Sequence, residues 1–239
     1  TMKKLISTCL LFVFFANIAK AQFVEIPDVN FRNALKVKYP TCFNASDMMD
    51  TTCGLIVNED TLIVQGKNIY SLEGVQYFKK LKYLDCFFNQ LSSLPILPSS
   101  LTYLDCYSNQ LSSLPILPSS LTYLSCYFNQ LSSLPSLPNS LKELYCSYNQ
   151  LSSLPIMPSS LKELYCSYNQ LKNLPNLPST LIGLGCEGNQ ISILPSLPSS
   201  ITILYCSENQ LSSLPTLPRL LIELSCNNNQ LGSLPSLPS

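Results

Sequence analysis

Leu101-Thr102-Tyr103-Leu104-Asp105-Cys106-Tyr107-Ser108-Asn109-Gln110-Leu111-Ser112-Ser113-Leu114-Pro115-Ile116-Leu117-Pro118-Ser119-Ser120 is one unit of a tandem repeat. Eight cysteines recur at 86, 106, 126, 146, 166, 186, 206 and 226, each followed three residues later by Asn-Gln. A period of 20 held without a slip marks a solenoid before any other feature is weighed. Within the unit, Leu104 and Cys106 alternate with Tyr103, Asp105 and Tyr107, the two-residue period of a strand buried on one face. Asn109 ends the strand at a turn, where its amide can pair with backbone groups the turn leaves without partners. The Leu-Pro-x-Leu-Pro segment cannot be a helix interior, because proline fixes φ, has no N–H and holds the preceding residue extended. It is expected to return as polyproline-like backbone on the outer face. One unit buries too little to order itself, so neighbouring units must share a core.

The unit L-P-x-L-P-x-x-L-x-x-L-x-C-x-x-N-Q-L resembles the short 20-residue leucine-rich repeats of secreted bacterial virulence effectors, the Yop and invasion-plasmid-antigen group. In those repeats the cysteine position more often holds valine. The resemblance covers about residues 81–239. Residues 23–80 resemble instead the amino-terminal cap and first repeat of internalin-like and Bacteroidetes surface proteins. Ile26-Pro27-Asp28-Val29-Asn30-Phe31 opens that cap, and Ser71-Leu72-Glu73-Gly74-Val75-Gln76-Tyr77-Phe78 fits the end of the first repeat. The implied fold is a leucine-rich-repeat solenoid with a parallel β-sheet on its concave face, an extended, polyproline-like convex face and a small helical amino-terminal cap. The implied function is binding, with no partner specified.

The expected organisation is a signal peptide at 1–21, a cap at 22–58, a divergent first repeat at 59–80 and eight 20-residue repeats at 81–239. Lys3 and Lys4, the apolar run from Leu5 to Ala19, and Ala19-Lys20-Ala21 read as a secretory signal cleaved before Gln22, too short and interrupted to anchor in a membrane. This places the protein outside the cytoplasm, secreted or at the cell surface, with no membrane insertion after cleavage. Val64, Ile69 and Leu72 precede Cys86, Leu91 and Leu94 by 22 residues, so the first repeat is longer than the others. Asp28 is expected to cap a helix running to about Lys38, with Phe31 and Leu35 on one face and Pro40 ending it. Cys42 and Cys53 are expected to form a disulfide in an exported protein. The resemblance further implies sequence beyond Ser239: more repeats, a cap, and a sorting or catalytic domain.

Composition narrows the chemistry. There is no histidine, the commonest general base and metal ligand. Without Lys3, Lys4 and Lys20 the 14 basic residues fall to 11 against 14 acidic ones, a net of −3 and no footprint for nucleic acid. The cysteines form a straight column at about 4.8 Å spacing rather than a tetrahedral cluster, so they read as small buried hydrophobes, with no metal and no cofactor expected. No nucleophile–base pair can be built with histidine, and the chain is not expected to be an enzyme. Asp85 beside Asp105 and Glu143 beside Glu163 could bind a cation or shift a pKa, but read more simply as copies made by duplication.

The outward positions of each unit are the third, fifth, seventh and eighth. They carry Tyr83, Phe87 and Phe88, then Tyr103 and Tyr107, then Tyr123, Tyr127 and Phe128, then Tyr145 and Tyr148, then Tyr165 and Tyr168. The column moves from third-plus-seventh to fifth-plus-eighth after the third repeat. Gly183, Gly185 and Gly188 are expected to empty the face in the sixth. Two readings stand side by side. Cross-strand aromatic pairs stabilise a sheet, and a contiguous aromatic patch forms a binding face for a protein or glycan. Ten residues define that candidate face: Tyr83, Phe87, Tyr103, Tyr107, Tyr123, Tyr127, Tyr145, Tyr148, Tyr165 and Tyr168. Two other roles fit the repeats: a structural spacer of a larger surface protein, and the targeting region of an effector with a separate catalytic domain.

Overall fold

The computed structural model describes residues 22–236. The expected signal segment, 1–21, lies outside them, as do residues 237–239.

The amino-terminal part is organised by one carboxylate. Asp28, in extended backbone, caps helix α1 (Val29–Lys38) by accepting a hydrogen bond from the Phe31 N–H at 2.8 Å through Oδ1. Its Oδ2 accepts from the Tyr70 and Ser71 N–H groups at 2.7 and 3.2 Å. The same side chain therefore starts the helix and pins it to the first coil. Phe31 and Leu35, four residues apart on one helix face, are fully buried. The helix stops before Pro40, which cannot donate the hydrogen bond a continuing turn requires. Strand β1 (Phe23–Val24) pairs antiparallel with β2 (Met49–Asp50), and α2 (Gly54–Val57) follows. A disulfide joins Cys42 to Cys53 across a Cα–Cα distance of 5.5 Å. Buried Tyr39 stacks obliquely on Phe78 and donates its hydroxyl to Glu59 at 2.7 Å.

The rest is a solenoid. Nine strands form one parallel sheet in chain order: β3 (Thr61–Ile63), β4 (Tyr83–Asp85), β5 (Tyr103–Asp105), β6 (Tyr123–Ser125), β7 (Glu143–Tyr145), β8 (Glu163–Tyr165), β9 (Gly183–Gly185), β10 (Ile203–Tyr205) and β11 (Glu223–Ser225). The register advances 20 residues per strand, as in Tyr103↔Tyr123, and 22 between the first two, Thr61↔Tyr83. Leu101, Leu104, Cys106 and Leu111 and their counterparts through the seventh repeat are fully buried between sheet and outer face, with Ile at 191 and 201. The Leu-Pro segments contain neither helix nor strand.

Two side-chain ladders satisfy backbone groups that the coils leave open. Asn149 Nδ2 donates to the carbonyls of Cys126, Cys146 and Ser147 at 3.0–3.2 Å, and its Oδ1 accepts from Leu131 N–H at 2.9 Å. The same bonds recur at Asn109, Asn129, Asn169, Asn189, Asn209 and Asn229. On the outer side, Ser120 Oγ donates to the carbonyls of Ser99 and Leu101 at 2.8 and 2.6 Å, one coil back. Ser140, Ser160, Thr180 and Ser200 repeat the arrangement. A buried carbonyl without a partner would cost about 1–3 kcal/mol, so each rung replaces a penalty with a bond.

Candidate functional site

The sheet face is set by a backbone device at the eighth position of every unit. Phe88, Ser108, Phe128, Tyr148, Tyr168, Gly188, Glu208 and Asn228 all have φ between 52° and 60°, the left-handed region. That turn carries the chain out of the strand and aims the following asparagine inward, onto its ladder. For a residue with a β-carbon the conformation costs about 1–2 kcal/mol, and glycine or asparagine adopts it most cheaply. Four of the eight positions nonetheless carry an aromatic ring. These rings stand out from the sheet: Phe88 is 66% exposed and Phe128 46%.

The aromatic side chains assemble into two continuous ladders across β4–β8. In the first, Tyr83, Tyr103 and Tyr123 stack at 4.1 Å between ring centroids. The change of column does not interrupt it, because Tyr123 reaches diagonally to Tyr145 at 5.5 Å, and Tyr145 lies parallel to Tyr165 at 5.4 Å. In the second, Phe87, Tyr107 and Tyr127 follow at 6.0 and 5.2 Å. Tyr127 and Phe128 both meet Tyr148, which stacks on Tyr168 at 4.4 Å. All ten residues of the candidate face thus fall in these two ladders. Phe128 belongs to it as a bridge between the seventh- and eighth-position columns. Its recurrence at the eighth position, with Phe88, was the signal for including both.

The expectation that the sixth repeat leaves the face empty is corrected. Its glycines form a seat for the fifth repeat. A β-carbon on Gly185 would stand 2.6 Å from Cδ1 of Tyr165, and one on Gly183 would collide with the Glu163 carboxylate. Gly188 likewise lies under the Tyr168 ring. Gly183 and Gly185 are buried, so the last rings of both ladders lean onto backbone rather than into open space.

The charges of the repeats are segregated in a way the sequence reading did not pick up. Asp85, Asp105, Glu143, Glu163, Glu187, Glu208 and Glu223 are all the acidic residues of 81–236, and every one occupies an outward strand position. The five basic residues of the same span, Lys82, Lys142, Lys162, Lys172 and Arg219, all lie at other positions of the unit. The ion pairs among the described residues, Lys36–Asp47 and Lys38–Glu59, both belong to the amino-terminal part. The acids on the face therefore meet one another. Burial, and then the adjacent Asp105, raises the pKa of Asp85. Burial, and then Glu143, does the same to Glu163, as burial and Glu208 do to Glu187. Asp85 Oδ1 accepts from Phe87 N–H at 3.3 Å and Asp105 Oδ1 from Tyr107 N–H at 3.0 Å. The Tyr205 hydroxyl donates to Glu223.

Nucleophilic chemistry finds little support in the cysteine column. Cys86 to Cys206 are buried and Cys226 is half-buried. Burial pushes the Cys126 and Cys166 thiols up to about 12, which keeps them protonated. Cys106 Sγ donates to the Ser125 carbonyl at 3.2 Å. Among the described residues, no three His, Cys, Asp or Glu side chains converge on a metal position. No helix among them is long and apolar enough to cross a membrane.

The architecture defines a class: a stacked-coil scaffold that displays side chains from a continuous parallel sheet. Two copies of the leucine-rich-repeat family model match residues 119–159 and 139–179. Among solved structures, the chain is 38% identical to the leucine-rich-repeat domain of a Shigella effector, over 66% of this chain and 73% of that one, with a TM-score of 0.61. It is 37% identical to YopM from Yersinia enterocolitica WA-314, over 67% of this chain and 40% of that one, with a TM-score of 0.63. The functional domain of InlJ from Listeria monocytogenes, which includes a cysteine ladder, is 25% identical over 87% of this chain and 52% of its own, with a TM-score of 0.65. No curated protein sequence matches the chain. The chain belongs to the leucine-rich-repeat family. It spans less than half of YopM and about half of the InlJ domain.

Proposed function

We propose that this chain is a non-catalytic recognition module, exported by its first 21 residues and acting outside the cytoplasm. In this reading 22–58 cap the solenoid, 59–80 form the divergent first coil and 81–239 the regular repeats. A protein or glycan ligand lies on the concave sheet between β4 and β8. Its contact residues are Tyr83, Phe87, Tyr103, Tyr107, Tyr123, Tyr127, Tyr145, Tyr148, Tyr165 and Tyr168, with Phe88 and Phe128 added.

One observation carries the reading. Phe88, Phe128, Tyr148 and Tyr168 hold rings in left-handed backbone where glycine or asparagine would be cheaper. Ring stacking returns about 0.5–1.5 kcal/mol, comparable to the conformational cost of about 1–2 kcal/mol. Phe88 lies in none of the face's ring pairs and is two-thirds exposed. The edge of the Phe88 ring reaches the Gly66 turn of the preceding coil, but most of the ring is left to solvent, which favours contact with a ligand as its role. Relatives of known structure include bacterial effectors, and repeats of this family commonly bind proteins, which supports the class of function.

The test is an array of proteins and glycans probed with the parent chain and with the triple variant Tyr103→Ser, Tyr123→Ser, Tyr145→Ser. Ligands of the parent are expected to be lost by the variant while its circular dichroism is retained. Ligands bound equally by both would remove the sheet face from the account.

A further inference from the structure

We infer that the partner of the sheet face is a cationic, extended protein segment whose arginine and lysine side chains lie along the tyrosine ladders and between the carboxylates. The inference rests on the reading of this face as a binding surface and adds the sign of charge and the chemical class of what binds.

Three observations carry it. First, the repeats place every carboxylate on the face and every basic residue off it. Second, the carboxylates are interleaved with the ladders. Asp85 and Asp105 sit in register between the third- and seventh-position rings, and Glu143 and Glu163 stand in register two residues before Tyr145 and Tyr165. The rings of the first ladder cover one another's faces at 4.1 Å, so what they offer a cation is their phenol oxygens, and a neighbouring carboxylate adds a charge-assisted hydrogen bond. Third, among the described residues no ion pair reaches these acids, and like charge adds to burial at two of them, Asp105 acting on Asp85 and Glu143 on Glu163. An incoming guanidinium or ammonium would relieve that repulsion, whereas nucleic acids, acidic glycans and anionic membranes would add to it.

The dimensions fit a short peptide. From Tyr83 to Tyr165 the first ladder crosses four inter-strand steps. At about 4.8 Å each these span about 19 Å, the length of about six residues of extended chain. Arginine suits the site better than lysine, because its planar guanidinium can donate to a carboxylate and to a phenol oxygen at once.

The experiment is calorimetric titration of the chain with deca-arginine and with a neutral glycine–serine peptide of equal length, at low and at physiological salt. Saturable binding of deca-arginine that weakens with salt, and none of the neutral peptide, is expected. Two variants separate the contributions. Asp105→Asn, Glu143→Gln, Glu163→Gln keeps the rings, and Tyr103→Ser, Tyr123→Ser, Tyr145→Ser keeps the charges. Each should weaken deca-arginine binding by about tenfold or more. Replacing the same tyrosines by phenylalanine keeps the stacked ladder and removes only the phenol oxygens, so it should weaken binding without loss of the fold, which guards against loss by misfolding. No binding of deca-arginine, or affinity unchanged in the charge variant, overturns the inference. If array ligands still depend on the three tyrosines in that case, the binding face stands and only its cationic partner is lost. If nothing depends on them, both readings fall.

Discussion

The ring of Tyr165 rests on Gly185 so closely that a β-carbon there would stand 2.6 Å from its Cδ1. Their strands are paired in register, Tyr165↔Gly185, so the glycine acts as a terminus for the first ladder. Gly185→Ala should displace the Tyr165 ring and its parallel stack on Tyr145, costing about 1–3 kcal/mol, as overpacking does elsewhere. Chemical denaturation would measure this. A variant as stable as the parent would mean that the ring does not depend on its seat.

The asparagine ladder should dominate the stability of the coils. Asn149 makes four hydrogen bonds to backbone groups and is 9% exposed. Asn149→Ala would leave several of those groups without partners, at a cost of about 3 kcal/mol or more. Asn229 makes equivalent bonds in a more exposed coil. Asn229→Ala should cost distinctly less, because water can replace what is lost. Equal losses in the two variants would contradict the burial argument.

Phe88 gives the opposite expectation. Asparagine tolerates its left-handed backbone better than phenylalanine does. Phe88→Asn should therefore leave the melting temperature unchanged or raise it while weakening ligand binding. A clear fall in melting temperature would assign the ring a structural role.

The face should also shape the response to pH. Burial raises the folded-state pKa values of Asp85, Asp105, Glu163 and Glu187, and a like charge adds to it at Asp85, Glu163 and Glu187. Facing them are Asp105 and Phe87 N–H for Asp85, Tyr107 N–H and Ser125 for Asp105, Glu143 and Tyr165 for Glu163, and Glu208 for Glu187. A raised acid binds its proton more tightly when folded, so stability is lower above the folded pKa and recovers as pH falls through it. Asp47 and Glu59 act in the other direction. The Lys36 bond lowers Asp47. Burial opposes ionisation of Glu59, but Tyr39, Thr61 and Lys38 outweigh it. Their contribution is lost only as pH falls through their own lowered values. Melting temperature should rise as pH falls from neutral through the raised values of the face carboxylates, and fall in stronger acid as Asp47 and Glu59 take up protons. Asp85→Asn should flatten the rise, and a monotonic fall from pH 7 downward would contradict it.

The solenoid was legible because repetition converts long-range contacts into a fixed interval. Every strand pair, asparagine rung and cysteine neighbour lies about one period away, so one unit describes all of them. The Asp28 cap was legible for the same local reason, through its bond to Phe31. Its second role, holding Tyr70 and Ser71 N–H, joins residues 42 and 43 apart with no period to announce it. Eight of the ten ring positions follow from a period of two, whereas Tyr148 and Tyr168 fall one residue off it and owe their outward placement to the left-handed turn. Whether rings meet depends on how they lean, so alternation alone could not show the Tyr123–Tyr145 diagonal or the rings seated on Gly185 and Gly188. The segregation of charge was present in the sequence and needed only a count by position.

If the tyrosine ladders are the ligand contact, the chain's own fluorescence reports binding directly. There is no tryptophan, and ten of the thirteen tyrosines lie at outward strand positions, so emission reports chiefly on this face. Titration with deca-arginine should change tyrosine emission saturably, with the same midpoint as the calorimetric isotherm. A calorimetric isotherm with unchanged tyrosine emission would place the ligand elsewhere and contradict the account.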